Sequence, residues 1–244
     1  LSQPPKVRQR SRVLRGHRRL RVFGTVGLVP LADRTLLPDG ARWSASAVAV
    51  LAATVVAVLA VRYAGDHTAG RVDGHLDRAV DALPAAWDGF VRAVTVLGSP
   101  PVVTISAGLL AVVCLVTGAP RAAVLAVGGP GLTGLITTFG KPVVDRTIGR
   151  DDTFAFPSGH TGGATSLILV CALLLAAAFG LRARGTAVFA AASAVVAGGA
   201  VGMGMVAGGS HYPTDVVGGF CTAVASVLAQ HAKLRRTRGW RSGF

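Results

Sequence analysis

The sequence predicts an all-α integral membrane protein, a six-helix bundle with both the N and C termini on the cytoplasmic side. Three observations carry this. Of the 244 residues, 51% are hydrophobic and only 15% charged, with a mean hydropathy of +0.56; soluble domains carry about 25% charged residues. The apolar residues are gathered in blocks close to the roughly 20 residues a helix needs to cross a bilayer. The basic residues cluster at the tails and in short turns, the pattern of cytoplasmic segments. A disordered chain, which is poor in apolar residues, is excluded.

The elements follow in order. Residues 1–42 form a basic tail that includes Pro4, Pro5, Pro30 and Pro38 and is expected to lie against anionic lipid headgroups. The first span covers 44–63. Residues 64–88 are polar and hold Asp66, Asp73, Asp77, Asp81 and Asp88. Within them Val72, Leu76, Ala79, Val80 and Leu83 recur at helical spacing, which predicts a short interfacial helix. Gly98-Ser99-Pro100-Pro101 breaks the chain before a second span at 102–118. A turn at Ala119-Pro120-Arg121 leads into the third, 122–140. A polar loop at 141–157 precedes the fourth, 158–179. A basic turn with Arg182 and Arg184 precedes the fifth, 186–207, and the sixth covers 213–229. The organisation is therefore a basic cytoplasmic tail at 1–42, a six-span membrane domain at 43–231, and a second basic cytoplasmic tail at 232–244.

The net charge of +14 invites a nucleic-acid reading, but its distribution argues against one. Ten of the 25 basic residues precede Trp43 and five follow His231. With Arg121, Arg182 and Arg184, one side of the membrane holds 18 of the 25, and most of the aspartates fall on the other. Basic segments beside spans set topology and bind headgroups and lack the distributed footprint of a nucleic-acid binder. The Asp-rich segment, the 141–157 loop and the 208–212 turn then face outward, across a cell membrane. Cys114, Cys171 and Cys221 lie in apolar blocks without a CxxC pair, so free thiols are expected. Arginine outnumbers lysine 22 to 3 and every acidic residue is Asp, which suggests a GC-rich bacterial genome. The chain opens on Leu1, so a natural start is expected upstream.

Three polar clusters interrupt the apolar pattern. They are Lys141 to Arg150, with Asp145 and Arg146 inside it; Pro157-Ser158-Gly159-His160-Thr161; and His211-Tyr212-Pro213-Thr214-Asp215. The topology places all three at the outer ends of spans, where ionisable groups are costly and mark function. Taken singly, Lys141 reads as a headgroup anchor and Ser158 as an N-cap. His17, His67, His75 and His231 keep such plain readings. Taken together, the clusters suggest phosphoryl transfer through histidine. Ser158 and Gly159 open a helix whose N-terminus attracts an anion. Lys141 and Arg146 supply cations to a phosphoryl group. His211 with Asp215 four residues on reads as a base and its orienting carboxylate on one helical face, and His160 as an acid for the leaving oxygen. An His-x3-Asp pair offers only two metal ligands, so neither metal nor cofactor is expected.

These residues resemble the type 2 phosphatidic acid phosphatases, in the superfamily that includes the vanadium haloperoxidases. The family pattern is Lys-x6-Arg-Pro, then Pro-Ser-Gly-His, then Ser-Arg-x5-His-x3-Asp. Pro157 to His160 match fully, and His211-x3-Asp215 matches in spacing and order. The resemblance spans residues 45–230 and implies six spans, with His211 as nucleophile, Asp215 as its partner and His160 as general acid. It also implies Lys141, Ser158 and Gly159 as phosphate ligands. Two positions depart: Ile148 and Met205 stand where the pattern has arginine. Arg146 is then the expected substitute guanidinium and Arg150 a surface charge. The implied activity is metal-independent hydrolysis of a phosphomonoester or diphosphate of a lipid, through a phosphohistidine, at the outer face. The lipid is phosphatidic acid, phosphatidylglycerol phosphate or a polyprenyl phosphate or diphosphate. The alternative is a weakened member that binds an anionic headgroup as scaffold or carrier.

Overall fold

The structure, a computed structural model, describes residues 40, 42–81, 88–149 and 153–241. The basic N-terminal tail, His17, Leu83 and Arg150 lie outside the described residues. Among the described residues, eight helices and one hairpin follow in the order α1 (Arg42–Arg62), α2 (Arg71–Asp81), α3 (Asp88–Leu97), α4 (Pro100–Val116), α5 (Pro120–Val144), β1 (Thr147–Ile148), β2 (Thr153–Phe154), α6 (Gly159–Ala178), α7 (Ala183–Ala207) and α8 (Pro213–Arg241).

Four helices, α1, α5, α6 and α7, are long and apolar enough to cross a membrane. At 1.5 Å per residue, the 20 residues of α6 reach about 30 Å, one hydrocarbon thickness. The second and sixth expected spans differ from the sequence reading. With 17 residues, α4 is short for a span on its own. It joins α3 across a 50° bend at Gly98-Ser99, and the pair together passes as one broken span, for up to five. The bend has a local cause: proline occupies both opening positions of α4 and keeps the preceding residue out of the helical region. The sequence reading missed α3. For its part, α8 runs beyond 229 to Arg241 and is not among the helices apolar enough to span. Thr214, Asp215, Thr222 and Ser226 are buried along it. It packs against α1, α5, α6 and α7, so its surroundings are largely protein.

The main core lies at the end of the bundle away from the three clusters. Ala111 and Cys114 of α4, Leu125 and Ala126 of α5, Val170 and Leu173 of α6, Ala190 and Ala194 of α7 and Val227 of α8 form it. Small side chains dominate, and in lipid they let helices approach closely. Gly202 of α7 shows this: a Cβ there would overlap Val216 of α8. Cys114, Cys171 and Cys221 are free, as expected, though only Cys114 is fully buried.

Candidate active site

The C-terminal end of α5 delivers the first residue. The sequence reading placed Lys141 in a loop; it lies in the last turn of the helix. Its Nζ donates to the Phe154 carbonyl (3.0 Å), which ties the helix end to β2. Asp145 ends α5 in the left-handed conformation (φ 54°, ψ 36°), its N–H on the Lys141 carbonyl. That sharp turn leads straight into the β1–β2 hairpin, where Thr147 pairs with Phe154 and Ile148 with Thr153.

The second cluster opens α6. Ser158 is fully buried. Its Oγ donates to Thr161 Oγ1 (3.0 Å) and accepts from the Thr161 N–H (3.4 Å), the geometry of an N-cap. Its own N–H donates to the Asp215 carbonyl (3.0 Å). Ser158 is thus occupied as a cap and as the joint to α8, not presented as an open phosphate ligand. Gly159 and His160 are the first helical residues, whose N–H groups have no acceptor within the helix. Close packing fixes this end. A Cβ at Gly219 of α8 would collide with the Ser158 carbonyl, and one at Gly98 would lie 2.5 Å from the His160 carbonyl.

The third cluster approaches from the turn before α8. His211 and Tyr212 precede the helix, so His211 and Asp215 do not share a helical face as expected; the turn brings them together instead. Asp215 Oδ2 accepts the Tyr212 N–H (2.8 Å) and stands 3.8 Å from His211 Nδ1, beyond hydrogen-bond length. Nδ1 has no hydrogen-bond partner. His211 and Lys141 both lie within electrostatic reach of His160, and Asp215 within reach of Lys141. Two imidazoles, an ammonium and a carboxylate therefore converge at one end of the bundle.

Arg146 does not take the place expected for it. It is fully buried and held on all sides. Nη1 donates to Asp215 Oδ1 (2.5 Å) and Thr214 Oγ1 (2.7 Å), and Nη2 to Asp73 Oδ2 (2.7 Å). The rings of Tyr63 and Tyr212, the only tyrosines in the chain, lie 4.0 and 4.5 Å from its Cζ. With two carboxylates and a hydroxyl on its donors, the guanidinium is a strut behind Asp215 rather than an open fork for phosphate. The sequence reading missed Asp73, which is also fully buried. Its Oδ1 accepts the Thr214 N–H (3.0 Å) and its Oδ2 the Thr214 hydroxyl (3.0 Å). Burial pushes the Tyr212 hydroxyl above its ordinary range, with Arg146 pulling the other way, so the ring stays neutral against the cation. His67 serves structure, its Nδ1 2.8 Å from Thr147 Oγ1, and His75 lies beside Arg78 on the exposed side of α2.

The positions that depart from the pattern are filled apolarly. Met205 is buried in a small cluster with Ala164 and Val201, against Val94, and Ile148 is half-buried in β1. Beside the turn, an apolar groove of about 350 Å³ runs between α2, α7 and α8. Leu76 and Val80 line one wall, Gly202, Met203 and Val206 another, and Pro213 and Val216 the end next to His211. Among the described residues, no three His, Cys, Asp or Glu side chains gather as a metal site would require.

The profile of the PAP2 superfamily matches residues 102–238, more than half of the chain and the stretch that holds all three clusters. The chain belongs to the PAP2 superfamily. No curated protein matches it by sequence. Among solved structures, it is similar to the crystal structure of the first transmembrane PAP2-type phosphatidylglycerolphosphate phosphatase from Bacillus subtilis. The TM-score is 0.55 at 19% identity, over 78% of this chain and 96% of that one. At that identity the likeness is one of fold. As a PAP2 member with several bilayer-length apolar helices, the chain is a multi-pass membrane protein.

Proposed function

We propose that this PAP2 protein is a metal-independent lipid phosphatase that hydrolyses a phosphomonoester or diphosphate through a phosphohistidine on His211. The observation that carries the reading is the meeting of His211, His160 and Lys141 at one end of the bundle, with Asp215 behind His211. In this reading His211 Nε2 attacks phosphorus while His160 gives a proton to the leaving oxygen of the lipid. Water then attacks the phosphohistidine, His160 accepts its proton, and inorganic phosphate leaves. Asp215 holds the Nδ1–H of His211 and stabilises its cationic form, closing the 3.8 Å gap as substrate settles; catalytic hydrogen bonds are often long before substrate binds. Lys141 and the N–H groups of Gly159 and His160 at the α6 N-terminus hold the phosphate oxygens, with Ser158 fixing that terminus. The groove ending at Pro213 takes the lipid chain. In this reading the chain crosses the membrane six times, with α3–α4 as the second crossing and α8 as the sixth, so that this end faces outward and both basic tails inward.

Purified protein given a panel of phosphatidic acid, phosphatidylglycerol phosphate and polyprenyl phosphates is expected to release phosphate, with undiminished rate in a chelator. An acid-labile, base-stable adduct should form on His211 and vanish with activity in His211→Ala. A chelator-sensitive rate restored by a divalent ion would refute the metal-free route. A second reading has one observation in its favour: Met205 and Ile148 replace the two pattern arginines, and Arg146 is already paired. A weakened headgroup binder would then retain vesicles containing phosphatidic acid yet release no phosphate.

A further inference from the structure

We propose that Asp73, which lies outside all three clusters, is a positioning residue for the His211–Asp215 pair; this rests on the phosphatase reading above. An arginine alone with a carboxylate favours the two-pronged fork in which both oxygens are taken. On Asp215 that fork would capture Oδ2, the oxygen 3.8 Å from His211 Nδ1. Asp73 prevents it. It engages Nη2 of Arg146 and leaves only Nη1 for Asp215, on Oδ1. Oδ2 is left with the Tyr212 N–H and faces the imidazole.

The assembly is over-determined for this purpose. Thr214 accepts from Arg146 and donates to Asp73, and its N–H donates to the other Asp73 oxygen, so the carboxylate has no freedom to turn away. Tyr63 and Tyr212 close over the guanidinium, so it cannot swing. Stability alone does not explain the arrangement. Buried charge clusters typically match or fall short of packed apolar side chains of the same volume, and Arg146 Nε is left without a partner. Two carboxylates around one guanidinium also leave one negative charge, directed towards His211 and Lys141.

The test uses the full chain in lipid nanodiscs with Asp73→Asn, which keeps the shape and the acceptor for the Thr214 N–H while removing the charge. A misplacement of this kind lowers kcat by about 10²-fold, and KM is expected to stay unmoved. The loss should be equal for a lipid phosphate and for p-nitrophenyl phosphate, as for Asp215→Asn. His160→Ala should instead spare the good leaving group. Asp73→Glu should recover part of the rate. An unchanged kcat, or a loss confined to KM, overturns the proposal. A second readout needs no turnover: ring 15N shifts of His211, assigned with His211→Gln. Wild type should carry its proton on Nδ1 and Asp73→Asn a mixture of tautomers; identical shifts in both overturn the proposal. Phosphate release by wild type judges the phosphatase reading separately, so either idea can fail while the other stands.

Discussion

Among the described residues, Lys141 is the one cation near the two imidazoles that is not locked between carboxylates, so on the proposed reading phosphate affinity rests on it. Lys141→Ala is expected to lower kcat/KM by about 10²-fold or more, roughly 2.7 kcal/mol of transition-state stabilisation, measured as phosphate release. Arg146→Ala should show a different signature. It leaves Asp73 and Asp215 buried without their shared partner, a loss of about 3–5 kcal/mol, read as a fall in the thermal unfolding temperature before any kinetic effect is considered. His160, His211, Asp215 and Lys141 were legible in the sequence because ionisable residues at span ends stand out against an apolar background. Asp73 was not. It is one of several aspartates in a polar stretch, and its partners lie 73 and 141 positions away. Nothing local distinguishes it. Arg146 was singled out for its charge, yet its role depends on a carboxylate no short-range pattern contains. The pairing of both tyrosines with one guanidinium likewise exists only in three dimensions.

At the scale of elements, periodicity and punctuation located most helices to within a few residues, and the errors have physical reasons. The α5 helix continues past Gly140 through Pro142, so Lys141 became helical. Within the broken α3–α4 pair, only the apolar half resembled a span. The last helix, α8, is polar where it lines the site and basic where it ends, and its apolar middle alone was visible. What joins the elements at the site is close backbone approach, and it can be tested. Gly219→Ala places a methyl against the Ser158 carbonyl, a backbone atom that cannot rotate aside. The expected cost is about 1–3 kcal/mol, together with loss of activity, because the α6 N-terminus must move. Gly199→Ala on α7 meets open space and should leave both properties intact, as measured by thermal unfolding and phosphate release.

For the whole molecule, basic residues mark the end of the bundle opposite the site. Arg121 opens α5, Arg182 and Arg184 flank the start of α7, and Lys233 and Arg235 lie in the last turns of α8, all away from the site. Asp73, Asp145 and Asp215 lie at the site end. By the positive-inside rule, the proposed reading has the site facing outward. Single cysteines introduced at the exposed positions His75 and Arg121 check this in intact cells, in a background with the three native cysteines replaced. An impermeant maleimide is expected to label His75→Cys and to reach Arg121→Cys only after the membrane is opened. The opposite pattern would place the chemistry on the inner leaflet.

The strut behind Asp215 also bears on how the protein comes into being. Asp73 is made early and Thr214 late, 141 residues apart, with α5, α6 and α7, three of the four bilayer-length apolar helices, between them. A ribosome that has delivered α1 to α7 has produced both acid and guanidinium of the first pair, the capped helix and the lysine, but not His211 or Asp215. The turn before α8 and the first residues of that helix supply both, and Thr214 in the same segment ties Asp73 of α2 to Arg146. On the proposed mechanism, nascent chains that lack this segment are inert towards the lipids that surround them during insertion. In that mechanism, chemistry begins only when α8 has closed onto α2.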